Sequence, residues 1–342
     1  LTTAPVEEIE KPLYRAEVFA EGLSFPVAME FAPDGSLYYA EKNGGVRVLS
    51  PQGELQPNPV YTVPVDGSGE RGLLGIALAP DFADSGHIWV YYTAADALVN
   101  RVGRFTVRDG VGADFQDAFE DRIAFETSTI LNGGGLHFGL DGMLYISFGS
   151  TNNVLTANEA DTPHGKLLRA QPTIPLTPAL DNPDPASLIY ARGFRNMFDF
   201  TIHPVTGQVF GTENGGDCDD EVNLIVAGGH YGWRENGLCE DNNLPADYPY
   251  QRPLIYYTPP AGLTGIDFYQ GDEFPEWQGD MLYCGWHSTD LVRVKWNEDF
   301  TRIITADILE TGAARCRIDV LTGPDGAIYF QDITTIYRLV RN

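Results

Sequence analysis

The chain has 342 residues, and its 22 Lys and Arg against 48 Asp and Glu give a formal net charge of −26. This length accommodates two ordinary domains or one large all-β domain, so length alone does not distinguish them. The negative charge repels phosphates, which disfavours nucleic acid and anionic membrane surfaces as partners, and the sequence has no run of about 18 apolar residues for membrane insertion.

The predicted elements are almost all strands, because short runs rich in Val, Ile, Tyr and Phe alternate with turns rich in Gly, Pro and Asp. One unit recurs along the chain: a tight turn, often carrying Asp-Gly, is followed by a strand with alternating apolar residues. The six copies of this unit begin at Phe31, Leu78, Phe138, Ile202, Trp277 and Thr322.

The spacing of the copies indicates a propeller. The turn residues Asp34, Asp81 and Asp141 lie 47 and 60 residues apart, and a blade of four antiparallel strands takes about 40 to 50 residues. We therefore predict an all-β fold, a single six-bladed β-propeller of four-stranded antiparallel blades over residues 1–342. The strand near Tyr14 is expected to complete the blade that ends at Ile336–Arg341, which would close the ring and cover its edges.

Four cysteines are compatible with two disulfides in three possible pairings, or with free thiols. We favour Cys218 with Cys239, which bracket an acidic loop, and Cys284 with Cys316, which would link the last two sheets. Disulfides persist in oxidising compartments, and the chain begins at Leu1 without an initiator Met. We therefore expect a mature, exported chain in the periplasm or outside the cell.

The acidic loop Glu213–Asn223 is the most unusual segment of the chain. It carries five acidic side chains and two Asn within eleven residues, and these supply the hard oxygen ligands that calcium prefers. Its Gly-Gly pair allows backbone carbonyls to point at an ion. The alternative interpretation is an ordinary solvated acidic loop.

Together with residues 228–233, the acidic loop resembles the calcium and quinone loop of the soluble quinoprotein (PQQ-dependent) glucose/sorbosone, or aldose sugar, dehydrogenase family. Further segments match family motifs over nearly the whole chain: residues 22–35, 70–82, 165–169, 190–196, 274–280 and 323–326. The chain is thus identified as a divergent member of that family. The resemblance implies pyrroloquinoline quinone (PQQ) at the channel mouth beside a catalytic calcium ion, with a hydride passing from C1 of an aldose to the quinone.

The resemblance also implies roles for individual residues. Arg195 and Asn196 match the family's Arg-Asn pair that contacts the cofactor, and an Arg fork with an amide suits a tricarboxylated quinone. Four positions match the family's calcium ligands: the carbonyls of Gly215 and Gly216 for the catalytic ion, and Glu221 with the carbonyl of Tyr231 for a structural ion.

This chain departs from the family pattern at the position of the general base. Family members active on sugars carry a His before the Asn-Gly-Gly run, where it accepts the proton of the sugar hydroxyl. The matching residue here is Leu131, which cannot accept a proton. His137 lies six positions further on and is expected to be structural, so the candidate replacement bases are His287 and Glu70.

Two further cofactor contacts are also altered. His287 stands where the family carries a Lys, and it could still donate a hydrogen bond. Arg315 and Arg317 match the family's Arg-X-Arg pair one residue out of register. Because side chains alternate across a strand, this shift points both Arg side chains away from the expected face unless a bulge restores them.

These observations support two functions from different classes. The first is a PQQ- and calcium-dependent aldose dehydrogenase that acts on a small-molecule sugar with a rearranged base. The second is a calcium-stabilised binding module for an unknown partner that has lost the redox chemistry, as hedgehog-interacting proteins of the same superfamily did. A calcium-dependent hydrolase of the gluconolactonase-like class is weaker, because its acidic residues would come from several blades instead of one loop.

Overall fold

A computed structural model of the chain describes residues 13–121, 129–151, 156–233 and 250–342. Within these ranges the strands form six antiparallel sheets. Five sheets have four strands, and the third has a fifth strand. The sheets are the blades of a six-bladed β-propeller, which confirms the predicted fold class.

The first strand, β1 (Tyr14–Glu21), belongs to the last blade, and the next three blades follow along the chain. Blade 1 consists of β2 (Pro26–Phe31), β3 (Leu37–Glu41), β4 (Gly45–Leu49) and β5 (Tyr61–Thr62). Blade 2 consists of β6 (Leu73–Leu78), the short helix α1 (Phe82–Ser85), β7 (His87–Thr93), β8 (Asn100–Arg108) and β9 (Val111–Glu120). Blade 3 consists of β10 (Gly133–Phe138), β11 (Leu144–Phe148), a 3₁₀ turn (Thr156–Asn158), β12 (Lys166–Gln171), β13 (Thr177–Pro178) and β14 (Ile189–Arg192).

The remaining three blades have the same order. Blade 4 consists of β15 (Met197–Ile202), β16 (Val209–Glu213), β17 (Asp220–Ile225) and β18 (Ile255–Tyr257). Blade 5 consists of β19 (Leu263–Phe268), a 3₁₀ turn (Pro275–Trp277), β20 (Met281–Gly285), β21 (Leu291–Trp296) and β22 (Ile303–Ile308). Blade 6 consists of β23 (Val320–Thr322), β24 (Ile328–Gln331), β25 (Thr335–Arg341) and β1.

The ring closes by pairing the first strand with the last. Strand β1 runs antiparallel to β25, with Tyr14 opposite Arg341 and Glu21 opposite Thr335. This pairing confirms the predicted closure and covers the edge that β25 would otherwise expose. The first strands of the blades, β2, β6, β10, β15, β19 and β23, contact one another in a ring around the central channel.

The hydrophobic core lies between the blades. In the described ranges, six clusters of buried apolar residues fill the six junctions between neighbouring blades. Large aromatic side chains such as Trp89, Phe148 and Phe210 are almost fully buried there. Each blade is therefore held by its two neighbours, which fixes the loops around the channel mouth.

The recurring Asp of the sequence unit has a structural role. Tyr145 Oη donates a hydrogen bond to Asp141 Oδ2 at 3.0 Å, and Tyr329 Oη donates to Asp325 Oδ2 at 2.9 Å in blade 6. The same carboxylates accept backbone N–H groups two residues further on. The Asp thus closes the turn and fixes the following strand, which explains why it marks the repeat.

One predicted disulfide is confirmed. Cys284, at the end of β20, is bonded to Cys316, with the two Cα atoms 5.1 Å apart, so the bond links blades 5 and 6. The other predicted pair depends on Cys239, which lies outside the described residues. Where the structure describes the chain, no helix is long and apolar enough to cross a membrane.

Candidate active site

A cavity of about 460 Å³ opens at one end of the central channel. All six blades or the segments next to their first strands contribute to its wall, through Val27, Leu74, Gly133, Phe198, Thr264 and Ile318. The cavity therefore lies on the propeller axis. Such a channel mouth is a concave site where side chains from distant parts of the sequence converge.

Most of the residues singled out from the sequence line this cavity. They are Glu70, Leu131, Arg195, Asn196, Gly215, Gly216 and His287. Glu221, Tyr231, Arg315 and Arg317 do not contribute to its lining. The structure thus brings together the proposed base candidates, the Arg-Asn pair and the glycine pair, and places the remaining four residues elsewhere.

Leu131 occupies a strained turn beside Glu70. Its φ of 63° is in the left-handed region, which is unfavourable for a bulky side chain. Three hydrogen bonds hold the turn: the Leu131 N–H donates to Glu70 Oε2 at 2.7 Å, Tyr91 Oη donates to the Asn132 carbonyl at 2.7 Å, and Thr151 N–H donates to the Leu131 carbonyl at 3.0 Å. A carboxylate therefore lies against the backbone of Leu131, the residue at the position where the sequence resemblance leads us to expect a base.

Arg195 is bound to the acidic loop. Its Nη1 donates to the Gly215 carbonyl at 2.5 Å and to the Asn214 carbonyl at 3.1 Å. Its guanidinium also lies over the Trp233 ring, 5.4 Å from the ring centre. Burial lowers the pKa of Arg195, and the negative charge of Glu213 opposes this shift. The guanidinium is thus held at the cavity wall by backbone oxygens and an aromatic face.

Three amide side chains lie in the same wall. Asn196 accepts the Gly133 N–H at 3.0 Å and donates to Asn214 Oδ1 at 3.2 Å, and Asn214 donates to the Leu263 carbonyl at 2.7 Å. Asn132 differs, because its Oδ1 and Nδ2 are buried and have no hydrogen-bond partner among the described residues. An unpartnered buried amide costs free energy, so Asn132 is a candidate ligand contact.

Sequence reasoning did not single out Asn132, Asn214 or Lys42. Lys42 lines the cavity and donates from Nζ to the Gly67 carbonyl. Burial lowers the pKa of Lys42, while the charges of Asp66 and Glu70 oppose this shift. Their positions in the sequence could have indicated the two Asn residues as candidate site residues, since Asn132 follows Leu131 and Asn214 lies in the acidic loop.

The two Arg residues near the end of the chain do not reach the cavity. Arg315 Nη1 donates to the Gly312 and Ala314 carbonyls at 3.0 and 3.1 Å. The Arg317 guanidinium lies over the ring of Trp286, 5.6 Å from its centre, and Trp286 lines the cavity. Arg317 is therefore one side chain removed from the cavity. Both Arg residues precede β23 and lie outside any strand, so the alternation of side chains along a strand does not apply to them.

The acidic loop contains buried oxygens that have no donor. Glu213 Oε1 accepts the Arg195 N–H at 2.6 Å, whereas Glu213 Oε2 is buried without a partner among the described residues. Burial raises the pKa of Glu213 well above its usual range, and the charge of Glu221 raises it further. Asn223 Nδ2 donates to Glu221 Oε2 at 2.8 Å, and Asn223 Oδ1 is also unpartnered.

In the described ranges, no group of three or more His, Cys, Asp or Glu side chains could hold a metal ion. A calcium ion at the acidic loop would therefore depend on amide and backbone oxygens besides the carboxylates. Tyr231 lies nearby and is buried, with its ring stacked on Phe194 at 4.5 Å between ring centres.

A narrow cavity continues from the site along the channel and shares Val27, Leu74, Phe198 and Ile318 with it. In this cavity, His137 Nε2 lies 2.9 Å from Asp199 Oδ1. Burial alone would lower the pKa of His137, but the charge and hydrogen bond of Asp199, together with the charges of Glu30 and Asp319, raise it to about 9. This ion pair is consistent with the structural role expected for His137.

The chain is similar to known proteins in both sequence and structure. Residues 23–339 match the family model described as Glucose / Sorbosone dehydrogenase. Aldose sugar dehydrogenase YliI of Escherichia coli is 30% identical over 332 residues, which cover 92% of this chain and 88% of the relative. The apo form of the soluble aldose sugar dehydrogenase from Escherichia coli superposes with a TM-score of 0.83 at 27% identity, covering 96% of this chain and 100% of that one. The PQQ-bound aldose sugar dehydrogenase from Streptomyces coelicolor superposes with a TM-score of 0.82 at 25% identity, covering 96% and 98%.

Proposed function

The chain belongs to the glucose/sorbosone dehydrogenase family, and from this premise we propose that it oxidises an aldose sugar at C1 with PQQ as the hydride acceptor and calcium as a second cofactor. The observation that carries the proposal is convergence. The matched residues Arg195, Asn196, Gly215 and Gly216 all line one cavity at the channel mouth, although the sequence separates the two pairs by about 20 residues.

The cavity wall suits a tricarboxylated quinone. Arg195 and Lys42 provide positively charged side chains, which favour carboxylates, and His287 provides a further hydrogen-bonding group. Asn132 and Asn196 provide amides that can bond to carbonyl oxygens, and Asn132 has both polar atoms available. When bound, the quinone would supply the electron-pair acceptor for the sugar hydride.

The fit to calcium differs between the two matched positions. The unpartnered oxygens of Glu213 and Asn223 beside Glu221 suit a structural calcium ion, because an ion would satisfy them. The Gly215 carbonyl already accepts a hydrogen bond from Arg195. A calcium ion at that carbonyl would require the guanidinium to move.

We assign the proton transfer to Glu70 in preference to His287. Glu70 Oε2 is bonded to the N–H of Leu131, the residue that stands where relatives carry the base. Because Glu70 is exposed and lines the cavity, its carboxylate can reach a bound sugar. In this mechanism Glu70 accepts the proton of the C1 hydroxyl, and Arg195 with Asn196 orients the cofactor.

The experiment adds PQQ and calcium chloride to the purified chain and follows reduction of a redox dye with a panel of aldoses. We expect dye reduction by the natural sequence and a loss of roughly 100-fold in kcat for Glu70→Gln, since positioned bases contribute factors of this size. Glu54→Gln, an exposed carboxylate outside the cavity, is the matched control. The absence of both dye reduction and a change in the quinone spectrum would refute the proposal.

A binding module is the second candidate, and Leu131 is the observation that favours it. A chain of this class would be stabilised by calcium but would not bind PQQ. Calorimetry of PQQ binding to the calcium-loaded chain therefore separates the two functions, because saturable binding is expected only of the dehydrogenase.

For localisation we propose an oxidising compartment, periplasmic or extracellular. The disulfide between Cys284 and Cys316 supports this, since such bonds are rare in reducing compartments. Thiol labelling of the chain immediately after cell lysis tests the proposal, and labelling of Cys284 without added reductant would contradict it.

A further inference from the structure

A second cavity, of about 510 Å³, lies beside the candidate active site between blades 4 and 5. Pro260 and His287 line both cavities, so the two spaces are separated by the loop that precedes β19 and by the segment that follows β20. The second cavity thus adjoins the candidate active site across a shared wall and is not part of the cofactor pocket.

The walls of the second cavity are largely hydrocarbon. Strands β18, β21 and β22 supply Ile255, Val292, Ile303 and Ile308, and the loop before β19 supplies Pro259. Ile303 and Ile308 are 39% and 64% exposed to solvent. Exposed aliphatic side chains that form a concave surface favour an apolar ligand over a sugar, whose hydroxyls require many polar partners.

A few polar groups lie among these apolar walls. The hydroxyls of Tyr257 and Tyr283 are 2.6 Å apart, and only one of their two protons can lie between the oxygens. The other proton can be donated to a carbonyl group of a ligand. Asp290 also lines the cavity and, with the net charge of −26, disfavours an anionic ligand.

We propose that this cavity binds the electron acceptor of the dehydrogenase, a neutral planar quinone that is distinct from the bound cofactor. The inference rests on the proposed function, because oxidation of an aldose at C1 yields two electrons and two protons that must leave the protein before the next turnover. The C1–H and O–H bonds of the sugar break, and two electrons and two protons are released as the lactone forms. The acceptor quinone takes up both electrons and both protons, and its two carbonyls become the hydroxyls of a hydroquinone.

The position of the cavity suits this transfer. A molecule in the second cavity would be separated from the cofactor pocket by His287 and Pro260, so electrons would cross little more than one side chain. His287 lies in the wall between the two cavities, and its ring nitrogens can hydrogen-bond to a molecule on either side. The tyrosine pair would hold the acceptor by a carbonyl.

Binding is tested on the chain without cofactor or sugar, by calorimetry with 2,3-dimethoxy-5-methylbenzoquinone and its decyl derivative. We expect both quinones to bind. Tighter binding of the decyl form would identify the acceptor as a lipid-soluble carrier, and equal binding of the two forms would identify it as a water-soluble one. Ala306→Phe fills the cavity from strand β22 and is expected to weaken binding at least about tenfold, or about 1.4 kcal/mol. The matched control is Ile304→Phe on the same strand, whose side chain is 51% exposed and does not line the cavity.

Equal affinity in the two Phe variants, or no binding to the natural sequence, would overturn the inference. Ile308→Asp provides a second test that changes the wall charge at an exposed position, and it is expected to weaken binding as well. Circular dichroism and the melting temperature establish that each variant is folded.

A kinetic experiment separates this inference from the proposed function. With PQQ, calcium and sugar present, Ala306→Phe should raise KM for the quinone while leaving KM for the sugar unchanged. Ferricyanide, a small hydrophilic acceptor, should be reduced equally by Ala306→Phe and the natural sequence. Failure of sugar oxidation with ferricyanide would overturn the proposed function, whereas sugar oxidation without quinone binding would overturn only the inference.

Discussion

At the scale of single residues, the cavity wall around Leu131 bears directly on the proton transfer that we propose. Leu131 is held with a positive φ and is 5% exposed. Asn, Asp and His adopt this backbone conformation more readily than Leu. The turn is therefore a position where a polar residue would relieve backbone strain, and the proton acceptor that we propose, Glu70, is hydrogen-bonded to its backbone.

Replacing Leu131 by His should place a base at the position where the sequence resemblance leads us to expect one. We expect Leu131→His to raise kcat/KM and to add a rise in rate centred near pH 6.5, the ordinary pKa of His. The pH profile of dye reduction measures this effect. Leu131→Asn suits the same φ but cannot accept a proton, so an equal gain in that variant would attribute the change to the backbone.

The buried amide of Asn132 is expected to lower the stability of the chain but to strengthen its binding of the cofactor. Its two polar atoms lack hydrogen-bond partners among the described residues, so Asn132→Leu should raise the free energy of unfolding by about 1 to 3 kcal/mol. The same change should weaken PQQ binding, because a hydrogen-bonding group is lost. Urea unfolding and calorimetry measure the two effects. Asn196→Leu serves as the contrast, since the Asn196 amide is already bonded and its loss should destabilise the chain.

The shared place of Arg195 and Asn196 in the cavity wall was predictable from the sequence, because the two residues are adjacent within one motif and a motif fixes the local backbone of both. Lys42 was not predictable, because its place in the cavity depends on the packing of blade 1 against distant segments. The Arg195 contact with Gly215 likewise depends on two loops brought together by the fold.

At the scale of elements, the first strands of the blades line the channel with titratable groups. Glu30 lies on β2, His137 on β10, Asp199 on β15 and Asp267 on β19, and Asp319 directly precedes β23. Burial raises the pKa of Glu30 to about 7 and that of Asp267 to about 6. Burial, together with the charge of Asp199, raises the pKa of Asp319 well above its usual range. Near neutral pH, these channel-lining side chains therefore retain protons in the folded chain that they would release in the unfolded chain.

These shifts predict that stability falls as the pH rises. The pKa of Glu30 is ordinarily 4.5 and is about 7 in the folded chain. Glu30 therefore contributes fully to the free energy of unfolding below pH 4.5, and this contribution is lost as the pH rises to about 7. The pKa of His137 moves from 6.5 to about 9, so its contribution is complete below pH 6.5 and is lost through pH 9. Urea unfolding between pH 5 and 9 measures the slope.

Single substitutions separate the pH range in which Glu30 affects stability from the range in which His137 does. Glu30→Gln should flatten the slope between pH 5 and 7, and His137→Gln should flatten it between pH 7 and 9. A free energy of unfolding that stays constant or rises across this range in the natural sequence would contradict the prediction.

The strands were predictable where turn chemistry and alternation coincide. Asp141 and Tyr145 illustrate this, because the carboxylate closes the turn and bonds to the strand that follows. The two-residue strands β5 and β13, and the pairing of β14 with β12 in blade 3, had no such signal. Short pairings of this kind depend on backbone hydrogen bonds, which almost any sequence can form.

At the scale of the whole molecule, the ring makes the first and last segments of the chain into neighbours. Arg341 illustrates this, since its backbone pairs with Tyr14 while its side chain bonds to Glu276 in blade 5. Repetition of one unit made this closure predictable from sequence, because a ring of six blades needs its last edge covered. The net charge of −26 acts at the same scale, since it favours the binding of cations over anions.

Calcium is therefore expected to stabilise the whole propeller through the acidic loop. The unpartnered Glu213 Oε2 and Asn223 Oδ1 would gain a partner, and a ligand that binds only the folded state at 100 times its Kd adds about 2.7 kcal/mol to the free energy of unfolding. Melting temperatures in EDTA, calcium and magnesium measure the effect, and magnesium should stabilise less because it requires a stricter octahedral geometry. Glu213→Gln retains the oxygen that accepts the Arg195 N–H but replaces the free one, so it should abolish the calcium shift, whereas Glu54→Gln should preserve it. Equal melting temperatures in EDTA and in calcium would show that the acidic loop is only a solvated surface.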